Sequence, residues 1–205
     1  MAATAEGCVA LPSPGAAAVF FAQRTLGELA ALAQVAFAAA LVLASAERHS
    51  VLVSIHRGRW SSWLAGPLGG LVPGLTRSPS MVGKGFHDLE LAMLVAWLVI
   101  ALSGRALRTG VVIGSVVAVN VLFLLCPPLA LTDLFNYLAY ARMEIVHHVN
   151  PYVQLPEAVH RDPVFLYSNW HHLRSPYGPL FTLLVMPFAW LPLPVSYWIY
   201  KVVAM

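Results

Sequence analysis

Charge is what this sequence has least of. Only 10% of its 205 residues are Asp, Glu, Lys or Arg, where a soluble domain carries about 25%. That is too little to cover a globule of this size with water-compatible surface, and it excludes an ordinary soluble enzyme and a disordered chain. Basic runs are absent too. Twelve Lys and Arg stand against nine Asp and Glu, a net charge of +3 spread along the chain, which gives nucleic acid no footprint. Cysteine is nearly absent: Cys8 and Cys126 make neither a disulfide framework nor a metal-ligand spacing. What is present is apolar, at 59% hydrophobic residues and a mean hydropathy of +0.73. The solvent that fits is lipid.

Residues 1–28 read as a small-residue leader without the charged start of a signal peptide. The first apolar run is Leu29 to Ala46, interrupted only by Gln34. Residues 47–88 are mixed, and 60–75, with four glycines and two prolines, read as an interfacial or re-entrant piece. A second span is expected over Leu89–Gly104, with Glu90 at its edge. A third is expected over Val111–Leu131, carrying Asn120 and broken near its end by Pro127-Pro128. A fourth starts at Pro179 and is stopped by Pro192 and Pro194. A fifth begins at Val195 and is still running at Met205. The expected fold is therefore all-α, polytopic and transmembrane, with four to five spans. Arg105 and Arg108 lie in a short loop with no acid near them in sequence, which places that loop and the N-terminus on the cytoplasmic side. Arg48, Arg57, Arg59, Arg77 and Lys84 in the longer 47–88 loop oppose this orientation, but long loops obey the charge rule poorly.

The segment 132–178 then falls outside the membrane. It holds four of the nine acids, five of the eight histidines and five of the seven tyrosines. A plain connector needs only a few residues, so this density points to function. A helix over 133–148 would put Asp133, Asn136, Tyr137, Tyr140, Glu144 and His147 on one face and Leu134, Leu138, Ala141 and Ile145 on another. That pattern is expected of an interfacial helix, apolar side toward lipid or core. Asp133 can cap that helix, as can Thr132, or act as an acid–base group; the two roles are compatible. Arg142, Arg161 and Arg174 are candidates for a phosphate, since their fork matches its oxygens; headgroup-level anchoring serves them equally well. Trp170 and Tyr177 suit an aromatic belt better than a sugar platform. The pairs His147-His148 and His171-His172 match no recognised metal spacing, although one of each with Asp162 could meet.

The stretch CPPLALTDLFNYLAYARMEIVHHVNPY resembles the first catalytic loop of bacterial polyprenyl-phosphate-mannose-dependent alpha-(1→6)-mannosyltransferases, integral-membrane enzymes of the GT-C type. The matching elements are Pro127-Pro128, then Asp133-Leu134-Phe135-Asn136-Tyr137, then Asn150-Pro151-Tyr152. Trp170 and Pro176-Tyr177-Gly178-Pro179-Leu180 follow in the same order. The likeness is firm over 125–185 and limited to span order over 29–120. Here Leu134 displaces the aromatic residue that follows the family's Asp. Family members are also much longer, so this chain looks like an N-terminal portion of such an enzyme, in need of further spans or a second chain.

The resemblance implies a multi-pass enzyme of the bacterial cell membrane. It would move a hexose, mannose first among candidates, from a polyprenyl-phosphate donor to a glycan or glycolipid acceptor on the outer side. Asp133 matches the motif acid and would be the catalytic base, with Asp162 the second-choice carboxylate. Arg142, Arg161 and Arg174 would hold phosphate; Asn136, Tyr137, Trp170 and Tyr177 would contact substrate. No cofactor or metal is implied. A transporter fragment would instead place ionisable groups within its spans. A non-catalytic membrane subunit would keep the loop for binding alone.

Overall fold

The computed structural model describes residues 14–47, 50, 52–53, 61–71, 79–129 and 133–205. The described residues are all-helical, without a strand. Seven helices follow in order: α1 (Pro14–Ser45), α2 (Ser62–Ala65), α3 (Pro79–Leu102), α4 (Thr109–Leu125), α5 (Asp133–Ile145), α6 (Pro179–Ala189) and α7 (Leu193–Ala204). Thr132, Arg48, Arg57, Arg59 and Arg77, named above from the sequence, lie outside the described residues.

Among the described residues two helices are long and apolar enough to cross a membrane, over Gly15–Ser45 and Gly83–Leu102. Both start earlier than the apolar runs suggest. α1 begins at Pro14, since Ala-rich sequence with Pro at the first turn favours helix upstream of the leucine-rich core. Much of the expected leader is thus helix. α3 begins at Pro79 and carries Lys84, His87, Asp88 and Glu90 in its first turns, with His87 Nδ1 3.3 Å from Glu90 Oε2. α4 stops at Leu125, ahead of Pro127-Pro128, because a residue before proline is driven out of the helical region. At 17 residues it rises about 25 Å, somewhat under a ~30 Å hydrocarbon core.

α1 packs against α3 and α4. Its Gly27 allows the α3–α4 turn to come close: a Cβ there would lie 2.6 Å from Ser103 Cβ and 2.8 Å from a Leu107 methyl. At the other end, Ser45 Oγ meets Cys126 Sγ at 3.1 Å. The α3–α4 turn has an acid after all: Glu28 Oε1 lies 3.1 Å from Arg24 Nε and 3.5 Å from Arg108 Nε. The charge rule counts Lys and Arg alone, so Glu28 does not alter the expected orientation.

The 61–71 segment is a one-turn helix followed by a 3-10 turn (Gly66–Leu68). It docks onto the second half of the chain through Trp63, which meets Phe135, Tyr167 and Tyr197 edge-on at 5.3–6.3 Å. Ser61 Oγ bonds the Tyr167 hydroxyl at 2.5 Å, and Trp198 Nε1 donates to Trp63 O at 3.2 Å.

α5 is far more buried than a helix with one polar and one apolar face leads one to expect. Phe135, Asn136 and every residue from Leu138 to Met143 are buried, so it is the central helix of a module, wrapped by α6, α7 and residues 155–175. Its polar face is only partly solvated: Asp133, Tyr137 and Glu144 are half-buried, and His147 is exposed. The polar side chains Asn136, Tyr140 and Arg142 are instead satisfied by the loop and by α6. Replacing Gly27 by Val should overpack the α1–turn contact and lower stability by about 1–3 kcal/mol. Thermal melts of detergent-purified protein check this.

Candidate functional site

The start of α5 gathers most of the residues singled out in the sequence. Asp133 opens the helix, where unpaired backbone N–H groups favour a negative side chain. One turn on, Asn136 donates from Nδ2 to Asn169 Oδ1 at 2.7 Å, and more weakly to Asp133 Oδ1 at 3.5 Å. Its Oδ1 accepts from the amides of Asn169 and Trp170 at 3.1 and 3.3 Å. Asn136 is 1% exposed and its amide is fully used. It ties Asp133 to the Asn169–Trp170 loop.

The aromatic residues form one cluster. Tyr137 meets Tyr177 and Phe181 edge-on, each at 4.9 Å, and Tyr200 at 5.9 Å. Trp170 stacks on Tyr177 at 6.1 Å with 13° between planes. Burial, a hydrogen bond with Tyr137 and the nearby Asp133 charge push the Tyr177 hydroxyl above its ordinary value. Burial raises Tyr140 to about 12, and its hydroxyl donates to Leu173 O at 2.9 Å. Both phenols stay protonated at neutral pH. A carboxyl beside ring faces and edges can take a proton from a hydroxyl held against those rings.

Asp162 and Arg142 lie elsewhere, at the far end of α5. Arg142 Nε meets both Asp162 oxygens at 2.9 and 3.0 Å, and its Nη1 donates to Ala189 O at 2.5 Å and Leu191 O at 3.2 Å. His147 Nε2 is 2.6 Å from Asp162 Oδ2, and Asp162 Oδ1 caps the 163–166 turn through the Val164 amide at 2.9 Å. Burial would raise the Asp162 carboxyl. The hydrogen bonds from Arg142, His147 and the Val164 amide outweigh it and hold the group below its ordinary value. These contacts give Arg142 and Asp162 a positioning role.

Arg161 and Arg174 are exposed. His171 stacks on Phe165 at 3.7 Å, and His172 Nδ1 pairs with Glu157 Oε2 at 3.2 Å, so neither joins His147 at Asp162. Among the described residues no group of three His, Cys, Asp or Glu is placed to hold a metal ion.

Sequence reasoning missed Phe181, Tyr200 and Lys201. Tyr197, Tyr200 and Lys201 share one α7 face at helical spacing, which was the available signal. Lys201 Nζ donates to the Cys126 carbonyl and lies 4.9 Å from the Trp198 ring.

Comparison with family profiles, with curated proteins and with solved structures returned no significant match.

Asp162→Asn should strand the Arg142 guanidinium, which is close to fully buried, and cost about 3–5 kcal/mol. Because the folded Asp162 value is depressed, its stabilisation is complete above the ordinary value of 3.8 and is lost as pH falls through the folded value. Wild-type melts should show that acid-side loss, and Asp162→Asn should lack this contribution.

Proposed function

We propose that the chain is a membrane glycosyltransferase, or the N-terminal part of one. It transfers a hexose, mannose as first choice, from a polyprenyl-phosphate donor to a glycan or glycolipid acceptor outside the bacterial cell membrane. The supporting observation is the convergence at Asp133. Asn136, Tyr137, Trp170 and Tyr177, from two separated stretches, assemble around the acid that the resemblance marks as the base. This assembly begins eight residues after α4 ends, so it stands close to the end of that apolar helix.

In this reading Asp133 takes the acceptor's proton as the anomeric carbon is attacked. Sugar–phosphate bond cleavage releases the polyprenyl phosphate in a single inverting displacement. Tyr137, Trp170 and Tyr177 contact sugar or headgroup. The leaving phosphate falls to Arg161 and Arg174, since Arg142 is engaged by Asp162 and the end of α6. The N-terminus is cytoplasmic and the α5 module extracytoplasmic.

One observation favours a non-catalytic subunit: the rings near Asp133 satisfy one another as a structural core would. Another bears on a transporter fragment, the ionisable residues in the first turns of α3. The deciding assay is mannosyl transfer from radiolabelled polyprenyl-phosphate mannose in membranes of a host lacking its own enzyme. Wild type should transfer, and Asp133→Asn should lose about 10²–10⁴-fold at equal insertion. Absence of transfer by wild type would reject this chain alone as an enzyme. Equal transfer by both would reject Asp133 as the base.

A further inference from the structure

α6, expected from the sequence as the fourth span, is a short apolar helix packed along α5. Both of its ends lie on α5. Near its start, Phe181 packs 4.9 Å from Tyr137 and Thr182 Oγ1 bonds the Tyr152 hydroxyl at 2.7 Å. At its end, the Ala189 and Leu191 carbonyls are held by Arg142. Tyr137 and Arg142 are both α5 residues, so α6 runs beside α5 from beginning to end. The chain then returns along α7. Tyr197 stacks on Phe135 at 5.5 Å, and Lys201 reaches the Cys126 carbonyl just past the end of α4. Met205 borders a shallow groove with Val116, Asn120 and Leu124 of α4. Residues 179–201 thus leave and regain the end of α4 on one side.

The outward face of α6 is apolar without interruption. Leu180, Leu183, Leu184, Pro187 and Trp190 are exposed, the last by 68%. The only polar residue of the helix, Thr182, points inward and is 4% exposed. The Trp190 indole N–H is served by Pro187 O at 2.9 Å, so the ring needs no water. No charge on this face suggests a charged partner. Eleven residues rise only about 16 Å, half of what a crossing needs. Pro187 also removes the N–H that would serve the Leu183 carbonyl, which is tolerable near water and costly in hydrocarbon.

We propose that α6 does not cross the bilayer but lies along its surface, its Leu180–Trp190 stripe sunk into the headgroup–acyl boundary on the side that carries α5. The occupant of the stripe is lipid, continuous with the lipid around α4, whose Val116, Val117 and Val121 are equally exposed. α7 is then the next helix to descend into the membrane, from the α5 side. This inference stands independently of the transferase reading.

The test uses the full chain with Cys8→Ser and Cys126→Ala, reconstituted in phosphatidylcholine–phosphatidylglycerol vesicles. Spin labels go on cysteines at Leu180 or Leu184, with Arg161→Cys as the aqueous reference and Leu94→Cys on α3 as the hydrocarbon reference. At Leu180 and Leu184, oxygen should relax the label more than a nickel chelate does, at a depth within ~10 Å of the phosphate level. A second measurement labels Pro192→Cys with a membrane-impermeant maleimide. It should react from the same side as Arg161→Cys. Nickel-dominated relaxation at both α6 positions would overturn the proposal in favour of a water-facing helix. Labels shielded from both reagents would overturn it in favour of a protein partner or a second copy. Reaction of Pro192→Cys from the opposite side would restore a crossing helix.

Discussion

A guanidinium with almost no access to water sets the arrangement of the polar half of this protein. Arg142 projects from the central helix and meets the Asp162 carboxylate and the last carbonyls of α6. A buried charge without partners is among the most destabilising features a fold can contain. Arg142 escapes that state only if residue 162 and residues 189–191 come to it together. A lysine could not do the same work, because one ammonium cannot grip a carboxylate edge and a helix end in fixed directions at once. The position of α6 along α5, and hence of Phe181 beside Tyr137, follows from that grip.

Asn136 performs the corresponding task at the other end of α5, with a neutral group. Its amide takes two backbone donors and gives to a side chain, fixing the Trp170 loop over the first turn. Between the two ties, Tyr140 holds the Leu173 carbonyl. Three polar side chains within seven residues of α5, Asn136, Tyr140 and Arg142, thus tie an irregular loop into a wall. The aromatic cluster fills the space between this wall and α7. Asp133 stands at its rim, half-buried, where one acid can be approached while its neighbours are locked.

Much of the all-helical character was legible from the absence of charge and from the long apolar runs. The residues around Asp133 were legible as a set, because Asp133, Asn136 and Tyr137 share a helix face and Trp170 and Tyr177 stand in one short stretch. Burial was not legible. The helical period of α5 shows a polar face, and a polar face normally meets water; here it meets carbonyls and amides supplied by residues more than thirty positions away. The roles of Arg142 and Asp162 were hidden for the same reason, as a pair 20 residues apart has no period to reveal it. Composition marks α6 as apolar but does not give its length, which at 11 residues is short of the expected span. The reach of α1 back to Pro14 was obscured because alanine and glycine give little hydropathy contrast.

The tie between Lys201 and the Cys126 carbonyl joins residues 75 positions apart. A ribosome makes residue 126 long before residue 201, so the end of α4 waits uncapped while the whole α5 module is synthesised. The module's wall and aromatic filling can form before its base closes. Lys201 thus closes the seam beside the Trp63 contacts, and it is the last of these ties to be synthesised. A chain interrupted before α7 would lack Lys201, and with it this tie between the α5 module and the end of α4.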